Sequence, residues 1–256
     1  MIAKYMRLPF LPVSLSLSPL SGVENFRPVS SRVPGLFRSA TLDRATAEDA
    51  SYLIDELNVT TVVELRNADE MMCPTSPGAD LLFGSVERVH LPLMADIDAL
   101  FFAVVASLPP LRKLQAYALL ATDARGFDEL VRTELSRDGP GLLYSSILAS
   151  AQPAVAEAVE RCLSASPEAA VVVNCAKGKD RTGIVSALVG LEAGDGDDVV
   201  VAEYARSESL LKDRGGDERT GSMDWSKLQG SPMEAMVEAL GWLRREHGTV
   251  ENYLKT

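Results

Sequence analysis

The sequence predicts an α/β fold in which a central, mostly parallel sheet is flanked by helices. Helical and strand patterns alternate along the chain, and two predicted strands are apolar at consecutive positions, which is typical of strands buried on both faces. The 256 residues are 46% hydrophobic and contain no internal repeat or low-complexity tract. This length and composition predict one domain with a full-sized core.

The first regular elements are predicted in the N-terminal third. Residues 46–57 carry apolar side chains at helical spacing, and Thr46 is placed to cap this helix. Asn58 ends the helix. A β-branched, apolar strand follows over residues 59–65, and a second strand is predicted over residues 86–91.

Helices dominate the middle of the chain. Residues 96–108 have helical apolar spacing, and the proline pair that follows ends this helix. A further helix is predicted through residue 120. Residues 152–163 form another amphipathic helix, which leads into a short buried strand over residues 169–173.

The C-terminal part begins with a polar turn over residues 174–183 and an apolar helix over residues 184–191. Residues 213–230 are expected to form an exposed polar loop. The segment 231–234, Ser-Pro-Met-Glu, is interpreted as the capping box of a helix that ends near Gly248.

Charge and cysteine content restrict the function. The net charge of -11 disfavours nucleic acid and anionic membrane surfaces as partners, so any anionic substrate needs a local positive site. The longest apolar stretch, near residues 99–106, is far below the ~18 residues that cross a bilayer. Three cysteines do not form a disulfide framework and indicate a reducing compartment, for which we expect the cytoplasm.

The chain is divided into an irregular N-terminal arm, residues 1–20, and one domain, residues 21–256. The arm lacks acidic residues and carries Lys4 and Arg7 before a Leu-, Pro- and Ser-rich stretch. A targeting segment is the alternative interpretation, although its prolines interrupt any apolar helix.

The residues that indicate chemistry lie at 174–183 and read Asn-Cys-Ala-Lys-Gly-Lys-Asp-Arg-Thr-Gly. A loop between a strand and a helix gathers backbone N–H groups around one point, where the helix dipole adds positive charge. Cys175 at the floor of this anion site is the predicted nucleophile, because the site stabilises its thiolate. Arg181 can hold two phosphoryl oxygens with its planar fork. Thr182 is expected to donate a hydrogen bond to the thiolate.

The loop itself is the predicted phosphate-binding site. Lys177 and Lys179 either raise the local potential and contact additional phosphates, or one of them points to solvent. A lysine-rich surface turn beside a buried cysteine is the alternative, but it explains neither the residue order nor the strand-to-helix context. The expected substrate-binding residues are Ala176, Lys177, Gly178, Lys179, Asp180 and Arg181.

This string resembles the phosphate-binding loop of the protein tyrosine phosphatase superfamily, in particular the bacterial and fungal tyrosine and lipid phosphatases whose loop reads Cys-x-x-Gly-Lys-Asp-Arg-Thr-Gly. The resemblance covers about residues 20–256. It implies a phosphatase-like sheet flanked by helices, a phosphocysteine intermediate, no metal or other cofactor, and a helical lid, here within about residues 96–150. Further segments fall in the order expected of that family, namely Asn25–Arg27, Gly35–Ala40, Val63–Arg66 with Glu70, His90–Leu93, and Glu203 and Tyr204 with Ser207.

Three positions depart from the pattern of that superfamily. Asn174 stands where histidine usually precedes the cysteine, and an amide cannot reproduce the charge of an imidazole. We therefore expect a less activated nucleophile. Pro28 stands where an aspartate usually follows Asn-Phe-Arg, and Glu64 replaces the aspartate before Leu-Arg. Both of these replacements are expected to be tolerated.

Hydrolysis of a phosphate ester needs a carboxyl group that protonates the leaving oxygen and later activates water. Asp180 in the loop and Asp96, which follows the His-Leu-Pro-Leu segment, are the candidates, with Asp98 as a rival of Asp96. The sequence does not choose between them. Asp96 has the alternative role of N-cap for the helix that follows.

Five further residues complete the interpretation of the sequence. Arg66 and Glu70 form either a buried ion pair that braces the loop or a surface pair of little energetic value, and the resemblance favours bracing. Cys162 is expected in the core, and His90 is expected to be structural. Cys73 is expected to be an inert loop thiol, the alternative being a protective disulfide with the nucleophile.

The sequence thus predicts a hydrolase that removes phosphate from phosphotyrosine, with phosphoserine, phosphothreonine or phosphoinositides as further substrates. Its partners would be a phosphorylated protein or a phosphoinositide. A catalytically weak pseudophosphatase that binds phosphorylated partners is the alternative, motivated by Asn174 and the unassigned acid. A sulfurtransferase with a persulfide on Cys175 is disfavoured, because Asp180–Gly183 fits phosphoryl chemistry.

Overall fold

The computed structural model describes residues 20–72, 75–211 and 230–255. Within them one five-stranded sheet has the order β1-β2-β5-β3-β4, and only the β1–β2 pair is antiparallel. The prediction of a central, mostly parallel sheet is confirmed. The strands are β1 (Arg27–Pro28), β2 (Leu36–Ser39), β3 (Val59–Glu64), β4 (Glu87–His90) and β5 (Ala170–Asn174).

Helices flank the sheet on both faces. None of the helices in the described segments is both long and apolar enough to cross a bilayer. In chain order they are α1 (Ala47–Ser51), α2 (Pro77–Ser85), α3 (Ile97–Ser107), α4 (Pro110–Thr122), α5 (Ala124–Asp138), α6 (Pro140–Ser150), α7 (Gln152–Leu163), α8 (Asp180–Glu192), α9 (Asp197–Ala205), α10 (Ser207–Leu210), α11 (Met233–His247) and α12 (Val250–Lys255).

The central strand β5 is buried along its whole length and divides the core in two. Ala170 and Val172 face a smaller cluster formed with α1 and α2. Val171 and Val173 face the larger cluster, to which α3 and the helices after it contribute. Because successive side chains of a strand point to opposite faces, this apolar run supplies both halves of the core.

The start of α1 follows the local sequence. Thr46 accepts the amide of Asp49, and the Asp49 carboxylate accepts the amide of Thr46, so a capping box is formed. The helix continues as a π-helical turn, Tyr52–Glu56, and ends before Asn58, whose φ is 53°. The predicted helix, its cap and its end at Asn58 are confirmed.

The segment expected to contain a lid is helical from α3 to α6. α6 packs against α3 and α11 and is buried at most positions. α4 differs, because it packs mainly on α5 and leaves Leu111, Leu114 and Tyr117 exposed. The position of this segment over the predicted site stays a prediction.

Two sequence predictions at the C-terminal end are corrected. Helix α8 begins at Asp180, four residues earlier than predicted, so part of the polar turn is helical. The capping box at 231–234 is wrong. Pro232 is the N-cap of α11, and the amide of Ser231 binds the carboxylate of Glu208 instead. The predicted end near Gly248 is confirmed, and the polar loop at 213–230 lies almost wholly outside the described residues.

Other parts of the fold differ from the sequence prediction or lie beyond the description. Strands β1 and β2 and helix α2 were not predicted as elements. Leu20, the last residue of the predicted arm, is buried in the smaller core cluster, and the preceding 19 residues lie outside the described part, as does Cys73. Cys162 is fully buried on α7, as predicted, and burial raises the pKa of its thiol.

Leu53 and Leu111 test which helical residues carry stability. Leu53→Ala should lower the free energy of unfolding by about 2–5 kcal/mol, because Leu53 is fully buried against the sheet. Leu111→Ala should change it by less than about 0.5 kcal/mol, because Leu111 is 79% exposed on α4. Urea unfolding followed by circular dichroism measures both. Equal losses in the two variants would contradict this assignment of the core.

Candidate active site

The candidate site lies at the carboxyl ends of the three central strands. Ser39 of β2, Asn174 of β5 and Glu64 of β3 are in register across the sheet. The loop leaves β5 at Cys175 and enters α8 at Asp180. Ligands of open parallel sheets bind at this edge.

The carbonyl groups of residues 176–179 are held by donors from the N-terminal segment. The Thr41 amide donates to the first of them at 3.1 Å, and the Asn25 side chain donates to the next two at 3.0 and 2.8 Å. Arg38 donates to the carbonyls of residues 178 and 179 at 2.7 and 3.3 Å. Because C=O and N–H point in opposite directions across a trans peptide, the amides of residues 177–180 face the other side. Consecutive amides turned to one side in this way are suited to bind an anion.

The donors around the loop are themselves fixed by buried charges. Glu203 binds Arg27 at 2.6 Å and Arg38 at 2.5 Å. Arg27 also donates to the side-chain oxygen of Asn25, so the amide nitrogen of Asn25 is directed at the loop. The role of these residues was not predicted, although two of them lie in the Asn-Phe-Arg segment.

Gly178 is required by the shape of the loop. Its φ is +61°, a conformation that side chains disfavour, and a Cβ atom there would lie 2.1 Å from the carbonyl oxygen of Ser39. The loop can therefore approach β2 this closely only with glycine at this position.

The structure brings Cys175 and Arg181 together. Cys175 is a free cysteine and 2% exposed, whereas Ala176 and Lys177 beside it are exposed, so the thiol lies at the floor of the loop. Burial lowers the pKa of Arg181, but the hydrogen bonds that it donates to Glu70 and the charge of Cys175 outweigh burial and raise its pKa. The guanidinium is thus a permanent cation within electrostatic range of the sulfur.

Arg181 is oriented by Glu70. Its two terminal nitrogens, Nη1 and Nη2, donate to the two carboxylate oxygens at 2.5 and 2.7 Å. Glu70 is held in turn by the amide of Asn67 at 2.8 Å. Glu70 therefore braces the loop. Its partner is Arg181, whereas the sequence interpretation had paired it with Arg66.

Arg66 belongs to a second, buried cluster. It donates to Asp43 at 2.6 and 3.0 Å and to Glu64 at 2.8 Å. Burial raises the pKa of Glu64, but hydrogen bonds from Arg66, Asn174 and Arg88 outweigh burial and lower it. This cluster holds a carboxylate next to the residue that precedes the nucleophile.

Asn174 and Glu64, two of the three departures from the superfamily pattern, contact each other. The side-chain amide of Asn174 donates to Glu64 at 3.1 Å, and both residues are fully buried. The side chain of glutamate is one methylene longer than that of aspartate. It can therefore reach Asn174, whose side chain is shorter than the usual histidine. The third departure, Pro28, is exposed on the short edge strand β1, where its missing N–H costs little.

The structure separates the three candidate acids. Asp180 lies in the first turn of α8, where its Oδ1 accepts a hydrogen bond from Tyr144 at 2.5 Å. Asp96 is the N-cap of α3, accepts the amide of Ala99 at 2.8 Å, and is exposed. Asp98 is exposed in the first turn of the same helix. Only Asp180 adjoins Arg181.

Four other predicted positions have distinct environments. Thr182 is fully buried, and within the described residues its hydroxyl has no hydrogen-bond partner, so the expected bond to the Cys175 thiolate is not formed here. Lys177 is exposed, whereas Lys179 is buried and donates to the carbonyl of Gly230 at 2.6 Å. His90 donates to the carbonyl of Arg66 at 2.7 Å, in line with a structural role.

A parallel sheet that ends in a strand–loop–helix anion site, with cysteine and arginine in the loop, defines an α/β phosphatase. The chain belongs to the tyrosine phosphatase family, whose model matches residues 19–256. Comparison with curated proteins finds no match. The suspected membership in the protein tyrosine phosphatase superfamily is confirmed.

The Glu70–Arg181 pair makes the stability of the protein depend on pH. Burial raises the pKa of Glu70, but its bonds to Arg181 lower it below the ordinary value of 4.5. As the pH falls below 4.5, the unfolded chain takes up the proton first, so the free energy of unfolding decreases until the folded pKa is passed. Glu70→Gln should show a smaller decrease in urea unfolding over this acid range. The same decrease in the variant and the wild type would contradict the assignment.

The Asn174–Glu64 contact predicts coupled substitutions. Asn174→His should lower the free energy of unfolding by about 1–3 kcal/mol, because a larger ring enters a fully buried position. Combination with Glu64→Asp should recover part of this loss, giving a coupling energy of at least about 0.5 kcal/mol. Urea unfolding of the two single variants and the double variant measures it. Additive effects would show that the two positions are independent.

Proposed function

We propose that this phosphatase hydrolyses phosphate monoesters through a phosphocysteine intermediate on Cys175. The observation that carries the proposal is that donors from the N-terminal segment hold the carbonyls of residues 176–179, which turns the following amides to the other side of a loop where Arg181 interacts with Cys175. Amide dipoles and a fixed cation stabilise both a thiolate and the charge that develops on a transferring phosphoryl group.

The free edge of Arg181 supports this role. A guanidinium has five N–H bonds. Glu70 and the carbonyl of Leu65 take three of them, all on Nη1 and Nη2. The Nε–H bond and the second N–H of Nη2 lie along the other edge and match two phosphoryl oxygens. Glu70 thus sets the angle at which this edge is presented.

The proposed reaction has two steps. The Cys175 sulfur attacks phosphorus, the ester P–O bond breaks, and the departing oxygen takes a proton from Asp180. Water then attacks the phosphocysteine and gives a proton to the Asp180 carboxylate. The S–P bond breaks, which releases inorganic phosphate and restores the thiolate. Thr182 is proposed to stabilise that leaving thiolate, after a rotation of its hydroxyl.

Asp180 is proposed as the acid in preference to Asp96 and Asp98. It lies in the loop sequence, one residue before the arginine, and its carboxylate is held in place by Tyr144. The Asp96 carboxylate already caps α3, and Asp98 is exposed on that helix. Both are therefore explained without catalysis.

The proposed substrates are phosphotyrosine and, with it, phosphoserine, phosphothreonine or phosphoinositides. Lys177 is exposed beside the nucleophile and supports contact with an additional anionic group of the substrate. Lys179 does not serve this role, because its ammonium group binds the carbonyl of Gly230 and lies 3.5 Å from Asp180.

Turnover of p-nitrophenyl phosphate and of a phosphotyrosine peptide tests the proposal. Cys175→Ser should abolish turnover of both, because the hydroxyl is a far weaker nucleophile than the thiolate. Asp180→Asn should lower kcat for the phosphotyrosine peptide, whose leaving group needs a proton, by roughly 10²–10⁴-fold, the usual contribution of a general acid, whereas Asp96→Asn should change it by less than about twofold.

Three outcomes would redirect the assignment. Wild-type protein that binds phosphate without turnover would establish the binding-module alternative. An active Cys175→Ser variant would exclude the phosphocysteine route. A large loss in Asp96→Asn with none in Asp180→Asn would move the acid to α3.

A further inference from the structure

Two tyrosines that lie outside the loop form a hydrogen-bonded pair, and one of them contacts the proposed acid. Tyr144 of α6 is fully buried, and its hydroxyl is 2.5 Å from Asp180 Oδ1 and 2.6 Å from the hydroxyl of Tyr204. Tyr204 of α9 is also fully buried, and the two rings meet edge to face at 5.9 Å. Helix α6 belongs to the segment expected to contain the lid.

The two hydrogen bonds that link Tyr204, Tyr144 and Asp180 have a defined donor and acceptor order. Burial raises the pKa of both phenols, so both keep their protons at neutral pH. Each phenol carries one proton. When Asp180 is ionised it can only accept, so the hydroxyl of Tyr144 uses its one hydrogen to donate to Asp180. The hydrogen between the two phenols must then come from Tyr204, which donates to the oxygen of Tyr144. A donor polarised in this way binds a carboxylate more strongly than an isolated hydroxyl.

The contacts converge on one carboxylate oxygen. The ammonium group of Lys179 lies 3.5 Å from Oδ1, the same oxygen that Tyr144 binds. Within the described residues, the charged or titratable groups shown to interact with Asp180 are Tyr144, Tyr204, Lys179 and Arg181, and Arg38 acts in turn on Tyr204. With Oδ1 held by Tyr144 and Lys179, Oδ2 is the oxygen that these groups leave to the substrate.

We propose that Tyr144 and Tyr204 are positioning residues that hold Asp180 by Oδ1, so that Oδ2 carries the proton exchanged with the substrate. The inference rests on the proposed role of Asp180 as acid. It makes α6 part of the catalytic machinery, since a shift of this helix would release the carboxylate. Neither tyrosine belongs to the loop sequence at residues 174–183.

Tyr144→Phe, which keeps the ring and removes the hydroxyl, tests the inference. Tyr144→Phe removes the hydrogen bond that the phenol donates to the Asp180 carboxylate, so the basic limb of the measured kcat/KM profile should move to higher pH. The acid should also be less well placed. We expect about a tenfold loss of kcat/KM for phenyl phosphate, whose leaving group needs a proton, and at most about a twofold loss for p-nitrophenyl phosphate. Tyr204→Phe should change both readouts in the same direction by less.

Tyr253→Phe is the matched control. Tyr253 is a fully buried tyrosine whose hydroxyl donates to the carbonyl of Leu148, also on α6, at 2.8 Å. Its variant should lower the melting temperature without moving the basic limb or the ratio of the two substrates. If Tyr144→Phe does not fold, Tyr204→Phe carries the test.

The failure of the inference and that of the proposed function give different results. If Asp180→Asn removes the basic limb but the Tyr144→Phe and Tyr204→Phe profiles match wild type, the positioning role is refuted and the acid assignment stands. If Asp180→Asn keeps the limb, the acid assignment itself is wrong and the positioning role falls with it. A shift of equal size in Tyr253→Phe would reduce the effect to general loosening of α6.

Discussion

The site depends on the peptide groups of residues 176–179 being turned with their carbonyls toward Thr41, Asn25 and Arg38. Without these donors, a peptide group of the loop would leave its carbonyl without a hydrogen bond or turn the carbonyl oxygen toward the anion. A carbonyl oxygen in that position would repel a phosphate. Each outside donor therefore acts twice, because it satisfies a buried carbonyl and directs an amide at the ligand. The charge of Arg38 also cancels part of the negative field of these oxygens.

Buried charges around the loop serve orientation more than stability. Glu64, Arg66 and Arg38 are almost completely buried, and removal of such groups from water costs several kcal/mol each before pairing. Their multiple hydrogen bonds offset this cost and fix each side chain in one direction. The chain has a net charge of -11, yet the loop is surrounded by arginines whose partners are buried or half-buried carboxylates.

Local sequence was sufficient for features that depend on near neighbours. Thr46 and its capping box, the end at Asn58 and the apolar strand before Cys175 all follow from residues within a few positions. The contacts of Glu70, Tyr144 and Arg38 could not be found in this way, because their partners lie 111, 36 and 140 residues away. Propensity also misplaced the start of α8, since Asp180, Arg181 and Thr182 look polar and loop-like although the helix already includes them.

The strand order places the motif-bearing strand β5 between β2 and β3, two strands made much earlier in the chain. Asn25 reaches a carbonyl 153 residues further on, and Asn174 meets Glu64 over 110 residues. Closing such distances carries an entropy cost that local helices do not have, so contacts of this kind form late when a chain folds. The cysteine–arginine sequence alone is therefore not a receptor for phosphate. The proposed phosphate site is complete only when the two ends of the domain have met, which ties the proposed reactivity of the thiol to complete folding.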